Sequence, residues 1–212
     1  MSMGKLLICR HTESEWNALG KWTGTTDVHL SENGFHQAGQ VGEALKDIDI
    51  DFAYCSLQIR TKETLEGILD GSGNIDVDYE RIGDINERDY GDYTGMNKWE
   101  VRDKVGETEF DDIRRAWDHP VPNGETLKVV YERTVPFYKN VIVPRLQKGE
   151  TILVVAHGNS LRALIKYMEN VSNEDIKNVE MPFGTVYEYD VDEEGKSLDK
   201  KVIKIEMTAP HA

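Results

Sequence analysis

Two apolar segments far apart in the chain each run straight into a histidine. Leu6-Leu7-Ile8-Cys9 leads to Arg10-His11, and Thr151-Ile152-Leu153-Val154-Val155-Ala156 leads to His157. Short apolar runs of this kind read as buried strands, and runs that stay apolar without alternating suit a parallel sheet covered on both faces. In an open α/β sheet, ligands bind beyond the carboxyl ends of parallel strands. The pattern therefore predicts that His11 and His157 meet over one site, and an Arg-His pair facing a second histidine suits an anion, a phosphoryl group above all.

The rest of the chain alternates strand-like and amphipathic segments, which predicts an α/β fold: a three-layer α/β/α sandwich with a mainly parallel central sheet and helices on both faces. No linker-like stretch interrupts the 212 residues, so one domain over 1–212 is expected. Ser31 is placed to cap a helix with Phe35, Ala38, Val41 and Leu45 on its inner stripe. Phe52 to Cys55 reads as the second strand. Ser56 is the expected cap of the next helix, with Leu57, Leu65, Ile68 and Leu69 apolar and Gly71-Ser72-Gly73 as its stop; Ile75 to Val77 reads as a third strand. From about 83 to 122 the periodicity fades while aromatic and charged residues crowd, which predicts an insertion that covers substrate. Asn123-Gly124-Glu125 opens a long helix with Leu127, Val130, Phe137 and Val141 inward, broken or bent at Pro136. Segments 184–190 and 199–207 read as a closing pair of edge strands around the turn Asp192 to Gly195.

A net charge of −14 argues against nucleic acid or an anionic membrane as partner. No apolar run approaches the ~18 residues of a membrane span, and the start of the chain has no signal-peptide pattern, so a cytoplasmic location is expected. Cys9 and Cys55 fall at strand ends, where free thiols pack as small hydrophobes. Nothing in the chain calls for a metal.

The candidate chemistry is carried by a few residues. A neutral imidazole at His11 can attack phosphorus and leave again, and Arg10 supplies the donor fork that matches phosphate oxygens. Ser14 and Asn17 are short polar donors beside it. His157 stands at its strand exit, and Gly158 permits close backbone approach before Asn159. Arg60 can reach the same cleft. Glu87, within Glu87-Arg88-Asp89-Tyr90, is a carboxylate in an aromatic setting, suited to acid-base work. Lys98, Arg114 and Arg115 form a basic group in an acidic chain, fit for a substrate carboxylate or distal phosphate. Walker, dinucleotide-binding, zinc-protease and serine-hydrolase motifs are absent.

Arg10-His11-Thr12-Glu13-Ser14-Glu15-Trp16-Asn17 resembles the signature of the histidine phosphatase superfamily. With Asn86 to Gly91, Gly95 to Lys98, Arg114-Arg115, Asn123 to Leu127 and Ala156 to Leu164, the chain is more narrowly similar to the cofactor-dependent phosphoglycerate mutases. The resemblance implies a glycolytic isomerase that interconverts 3- and 2-phosphoglycerate, primed by 2,3-bisphosphoglycerate, as a monomer or small homo-oligomer. It makes His11 the phosphorylated nucleophile, with Arg10, Arg60 and His157 around the phosphoryl group and Glu87 as acid-base group. Ser14, Asn17, Thr23, Gly24, Gly158 and Asn159 would line the phosphate pocket; Arg88, Tyr90, Lys98, Arg114 and Arg115 would hold the rest of the substrate. Three departures stand out: Thr12 replaces the usual glycine, the stretch between Trp117 and Asn123 is short, and most of a basic, alanine-rich C-terminal tail is missing. The first and last keep open a histidine phosphatase for small phosphorylated metabolites. A non-catalytic phospholigand-binding protein is the further alternative.

Overall fold

The computed structural model describes residues 3–205. Its strands are β1 (Lys5–Arg10), β2 (Phe52–Ser56), β3 (Tyr79–Ile82), β4 (Ile152–Ala156), β5 (Thr185–Val191) and β6 (Ser197–Lys204). They form one sheet of order β3-β2-β4-β1-β5-β6. The first four strands in that order are parallel; β5 runs antiparallel to β1, and β6 antiparallel to β5. Side chains alternate between the faces of a strand. Thus Leu6 and Ile8 enter one core with Val154 and Leu164, while Leu7 and Cys9 enter another with Val155 and Val41. Burial on both faces is why β1 and β4 are apolar without a break.

The helices are α1 (Glu15–Ala18), α2 (Glu32–Ala44), α3 (Ile59–Ser72), α4 (Lys98–Val105), α5 (Glu107–Arg115), α6 (Leu127–Phe137), α7 (Val143–Leu146) and α8 (Gly158–Met168). Helices α2 and α3 cover the face of Leu7 and Cys9; α6, α7 and α8 cover that of Leu6 and Ile8. The crossing of α2 and α3 is close enough that a Cβ at Gly42 would lie 2.5 Å from the Ile68 carbonyl oxygen, so only glycine fits there. No helix among the described residues is long and apolar enough to cross a membrane.

Several elements differ from the sequence reading. Ser31 does cap α2, accepting from the Gly34 N–H, but Phe35 is half exposed because Ala38, Val41 and Leu45 alone face the sheet. Gln58, not Ser56, precedes α3, and Leu57 is half exposed; the Ser56 hydroxyl is used elsewhere. The third strand is Tyr79–Ile82 rather than 75–77, since Ala53 pairs with Tyr79 and Ile75 stays in an exposed turn. The helix from Leu127 runs on past Pro136 through Val141, but not as a regular α-helix. After Pro136 it widens into a π turn, Tyr138–Ile142, in which the Val143 N–H reaches the Tyr138 carbonyl, and Val141 is left partly exposed. Of the closing pair only β6 is a sheet edge, because β5 pairs with β1; Glu206 and Met207 lie outside the described residues.

The stretch 83–122 is more regular than expected. It holds α4 and α5, whose Val101, Phe110 and Ile113 bury against Trp22 and Val121 in a separate small core. Trp22 also packs on Tyr90, with ring centroids 4.4 Å apart. This cluster seats α4 and α5 above the carboxyl ends of β1 and β4.

Candidate active site

Register brings the two histidines together. Arg10 of β1 lies opposite Ala156 of β4, and the His11 N–H donates to the Ala156 carbonyl at 2.9 Å. The next residues leave the sheet side by side, with imidazole centroids 5.0 Å apart and planes at 60°. His11 Nδ1 is 2.7 Å from the Thr12 carbonyl, which can only accept. The neutral ring therefore carries its proton on Nδ1, and its Nε2 keeps a lone pair. Burial, then the charges of Arg60 and Arg10, hold this imidazole well below its usual pKa, so it is neutral and nucleophilic.

Thr12 keeps an ordinary backbone conformation, since it is not among the residues with positive φ. Its hydroxyl donates to the Gly34 carbonyl at 2.8 Å, and its N–H donates to Thr64 Oγ1 at 3.1 Å. Thr64 Oγ1 in turn donates to the Arg60 carbonyl at 2.7 Å. The side chain that replaces the expected glycine thus ties the nucleophile's loop to the helix carrying Arg60.

His157 is fully buried. Thr61 Oγ1 donates to the Gln58 carbonyl at 2.8 Å and so accepts from Ser56 Oγ, also at 2.8 Å. With its hydrogen committed, Ser56 Oγ accepts from the Gln58 N–H at 3.1 Å and from His157 Nε2 at 2.7 Å. Neutral His157 is thereby fixed with its proton on Nε2 and a bare, unpartnered Nδ1. Burial, followed by Arg60 and His11, depresses its pKa as well.

Two recesses adjoin this pair. The inner one, about 80 Å³, is lined by His11, Asn17, Thr23, Gly24, Arg60 and Lys98. The outer, about 200 Å³, is lined by Arg115, Gly158, Asn159, Arg162 and the loop from Val179 to Pro182. Arg10, Glu87, Tyr90 and Arg114 border both. His157 itself lines neither; its contacts are the His11 ring and Ser56.

The donors of the inner recess are fixed in advance. Arg60, on the first turn of α3, is fully buried and donates to the carbonyls of Thr26 and Gly24, each at 3.0 Å. Burial pushes it down to about 10, still charged at neutral pH. Ser14 caps α1 and donates to Asn17 Oδ1 at 2.8 Å, which leaves the Asn17 Nδ2 hydrogens free. The Ser14 hydroxyl thus orients Asn17 rather than facing the recess. Arg10 Nε, Arg60 Nε and Thr23 Oγ1 are buried without partners. Unmade bonds of this kind cost ~1–3 kcal/mol each, and an anion satisfies all three. That fit is specific to acceptors such as phosphoryl oxygens.

Glu87 sits among donors rather than aromatic rings. One carboxylate oxygen accepts from the Arg88 N–H at 2.8 Å and from Asn159 Nδ2 at 3.0 Å, and the Glu87 N–H is held by Gln58 Oε1 at 2.7 Å. Asn159 Nδ2 also reaches the Tyr90 hydroxyl at 2.9 Å. Lys98, with Arg10 and Arg114 as neighbours, is pushed down to about 8, chiefly by desolvation. Gly158 is less confined than expected: a Cβ there would stand 3.6 Å from Arg10 Cζ, an ordinary contact.

Arg88 turns away from both recesses. It is fully buried and donates to the Ile113 carbonyl at 2.6 Å, holding the end of α5 that carries Arg114 and Arg115. Arg115 lines the outer recess but is shared with Glu180 at 2.7 Å.

The sequence reading missed Arg162 and the loop before β5. Arg162 donates to the carbonyls of Arg114, Arg115, Ile176 and Val179 and to Asn159 Oδ1. An arginine on the apolar stripe of α8, three residues after Asn159, was the available signal. The loop supplies the Met181 carbonyl, 3.2 Å from an Arg10 terminal nitrogen, and the Phe183 ring. It has no periodicity and gave no signal. Cys9 and Cys55 are buried free thiols, pushed up to about 12 and about 11 by burial, and take no part.

Similarity to known proteins extends over almost the whole chain. Residues 6–204 match the model of the histidine phosphatase superfamily (branch 1). The chain is 40% identical to a 2,3-bisphosphoglycerate-dependent phosphoglycerate mutase 2 of Latilactobacillus sakei, covering 94% of this chain and 99% of that protein. It is 41% identical to a phosphoglycerate mutase of Schizosaccharomyces pombe, covering 93% and 95% respectively. Among solved structures, Bacillus stearothermophilus YhfR superposes with a TM-score of 0.79 at 24% identity, over 98% of this chain and 96% of the other. That likeness is one of fold.

Proposed function

The chain belongs to the histidine phosphatase superfamily, and on that premise we propose that it is a phosphoglycerate mutase, interconverting 3-phosphoglycerate and 2-phosphoglycerate through a phosphohistidine at His11. The observation that carries the reading is a neutral His11, its Nε2 lone pair free, beside an inner recess that shares Glu87 with an outer recess bordered by Arg114 and Arg115. Relatives sharing 40% and 41% of their residues over nearly the full chain carry the mutase name.

The reaction needs positioning and charge stabilisation more than covalent assistance. His11 Nε2 attacks phosphorus, and Nδ1–H keeps the Thr12 carbonyl as its partner as positive charge develops on the ring. Arg10, Arg60 and Asn17 take the equatorial oxygens. His157 Nδ1, bare in the free enzyme, takes the proton that a monoanionic phosphoryl group brings with it and donates that proton back in a hydrogen bond to the resulting dianion. When the phosphoryl group passes to a substrate hydroxyl, that oxygen bonds to phosphorus, its proton goes to Glu87, and the P–N electron pair returns to Nε2. In the reverse transfer His11 Nε2 bonds to the phosphorus carried by the oxygen of the neighbouring carbon, the P–O bond breaks, and the leaving oxygen takes the proton back from Glu87. Lys98, Arg114 and Arg115 hold the carboxylate and distal phosphate so that either oxygen can face His11.

The orphaned donors Arg10 Nε, Arg60 Nε and Thr23 Oγ1 fit 2,3-bisphosphoglycerate as the priming group. When bound, it supplies the phosphoryl group that first loads His11; no metal is assigned a role. The reading places the enzyme in the cytoplasm as a single catalytic domain in which the 83–122 segment covers the substrate. Incubation with 2,3-bisphosphoglycerate should add one acid-labile phosphoryl mass, absent in His11→Ala, and 3-phosphoglycerate should then yield 2-phosphoglycerate faster than inorganic phosphate. Phosphate release without 2-phosphoglycerate would overturn the assignment in favour of a phosphatase.

A further inference from the structure

The Phe183 ring lies 3.8 Å from Arg10 Cζ, measured to its centroid, and meets the His11 imidazole at 5.9 Å in an edge arrangement. No other aromatic ring contacts both residues among the described contacts. It comes from the loop before β5, whose Met181 carbonyl also holds Arg10, at 3.2 Å. Arg10 otherwise has few restraints: its Nε is buried without a partner, and no carboxylate among the described residues forms an ion pair with it. An arginine whose task is to meet phosphoryl oxygens gains from a partner that orients its plane and makes no claim on its donors. A π face does so, because the attraction acts through the face of the guanidinium and leaves the N–H groups in its edge. The ring is also apolar cover beside the imidazole that carries the phosphoryl group.

We propose that Phe183 is a positioning residue that aims Arg10 and shields phospho-His11 from water, and so sets the balance between phosphoryl transfer and loss. This rests on the assignment of His11 as the phosphorylated residue. In the competing reaction a water oxygen bonds to phosphorus, the P–N bond breaks with its electron pair returning to His11 Nε2, and the water's proton passes to Glu87. The product is inorganic phosphate. Arg10 stabilises the same charge in transfer and in hydrolysis, so misaiming it slows both; opening the site to water speeds only the second. The ratio of the two rates therefore isolates the shielding.

The test is the lifetime of the phosphoryl adduct, followed by intact mass after priming with 2,3-bisphosphoglycerate and removal of excess, in wild type, Phe183→Ala, Phe183→Leu and Phe183→Tyr. The ratio of phosphate release to 2-phosphoglycerate formation is measured in parallel. A desolvated cation–π contact corresponds to about thirtyfold in a rate or equilibrium. Phe183→Ala should slow transfer by about that factor and raise the release-to-transfer ratio, Phe183→Tyr should restore both, and Phe183→Leu should restore the ratio, with an adduct at least as long-lived as that of wild type, but not the transfer rate, because it shields without a π face. An unchanged ratio in Phe183→Ala, or equal rescue of transfer by leucine and tyrosine, overturns the proposal while wild type still forms the adduct. Absence of any adduct in wild type overturns both this proposal and the functional assignment beneath it.

Discussion

Ser56 Oγ accepts a hydrogen bond from His157 Nε2 at 2.7 Å, and that single contact decides which nitrogen of the second histidine is bare. The Thr61 hydroxyl behind it is committed to the Gln58 carbonyl, so Ser56 can only point its own hydrogen at Thr61 and its lone pairs at His157 and the Gln58 N–H. Ser56→Ala leaves a buried N–H without an acceptor, which should cost ~1–3 kcal/mol in urea denaturation. It also frees the ring to turn or change tautomer. Transfer should slow by up to about 10²-fold, the usual scale for misplacing a catalytic group. A variant with that loss of stability but an unchanged kcat would show that the tautomer of His157 is immaterial.

Both site histidines have pKa values well below the usual imidazole range, from burial first and neighbouring arginines second. The unfolded chain, with a pKa of ~6.5, binds protons there that the native state refuses. Stability should therefore be unaffected by these groups above about pH 6.5 and should fall progressively below it, towards the depressed native values. His11→Gln, which removes one such group, should flatten that slope in denaturation curves taken between neutral and mildly acidic pH. The same depression keeps His11 unprotonated in weak acid. The rate of phosphoryl uptake should show no acid limb near 6.5, and an inflection there in rapid-quench measurements would contradict a buried, neutral nucleophile.

Lys98 is held at about 8 by desolvation and by the like charges of Arg10 and Arg114. Below that value it is an ammonium group able to hold an anionic substrate; above it, the charge is lost. Because kcat/KM reports the free enzyme, it should decline as pH rises through about 8. Lys98→Arg keeps its charge throughout this range and should abolish the limb, even if its shape lowers kcat/KM overall. The same alkaline limb in both proteins would assign it to another group.

What could be read in the sequence, and what could not, divides along physical lines. Continuous apolar runs fixed β1 and β4 as central strands, and the residue after each run fell at the ligand end of the sheet, so His11 and His157 were placed by pattern alone. Residues that reach the site from outside the sheet, such as Tyr90, Lys98 and Arg114, were found through their chemistry and the family motifs. The motifs could not distinguish facing the ligand from supporting what does. Ser14 and Arg88 looked like ligand contacts but orient Asn17 and α5. Phe183 was invisible because a lone aromatic in a loop has no period. Ile75 to Val77 misled because strand propensity without a pairing partner does not make a strand; Tyr79 holds the register with Ala53 instead.

Arg162 offers the sharpest test of how the outer recess is built. Its guanidinium donates to the carbonyls of Arg115 at 2.8 Å and Ile176 at 2.7 Å, to those of Val179 and Arg114 at 3.0 and 3.4 Å, and to Asn159 Oδ1 at 3.1 Å. One cation thus joins the C-terminal end of α5, the loop before β5 and the asparagine that binds Glu87. Arg162→Met fills similar volume but leaves those carbonyls without a donor, so α5 should shift and carry Arg114 with it. KM for phosphoglycerate should rise more than kcat falls, with kcat/KM lower by about 10²-fold. Arg114→Ala should raise KM directly. If Arg162 acts by placing Arg114, the two losses report one defect, and the double variant should be little worse than either single one. Additive losses in that cycle would mean that Arg162 contributes to binding on its own account.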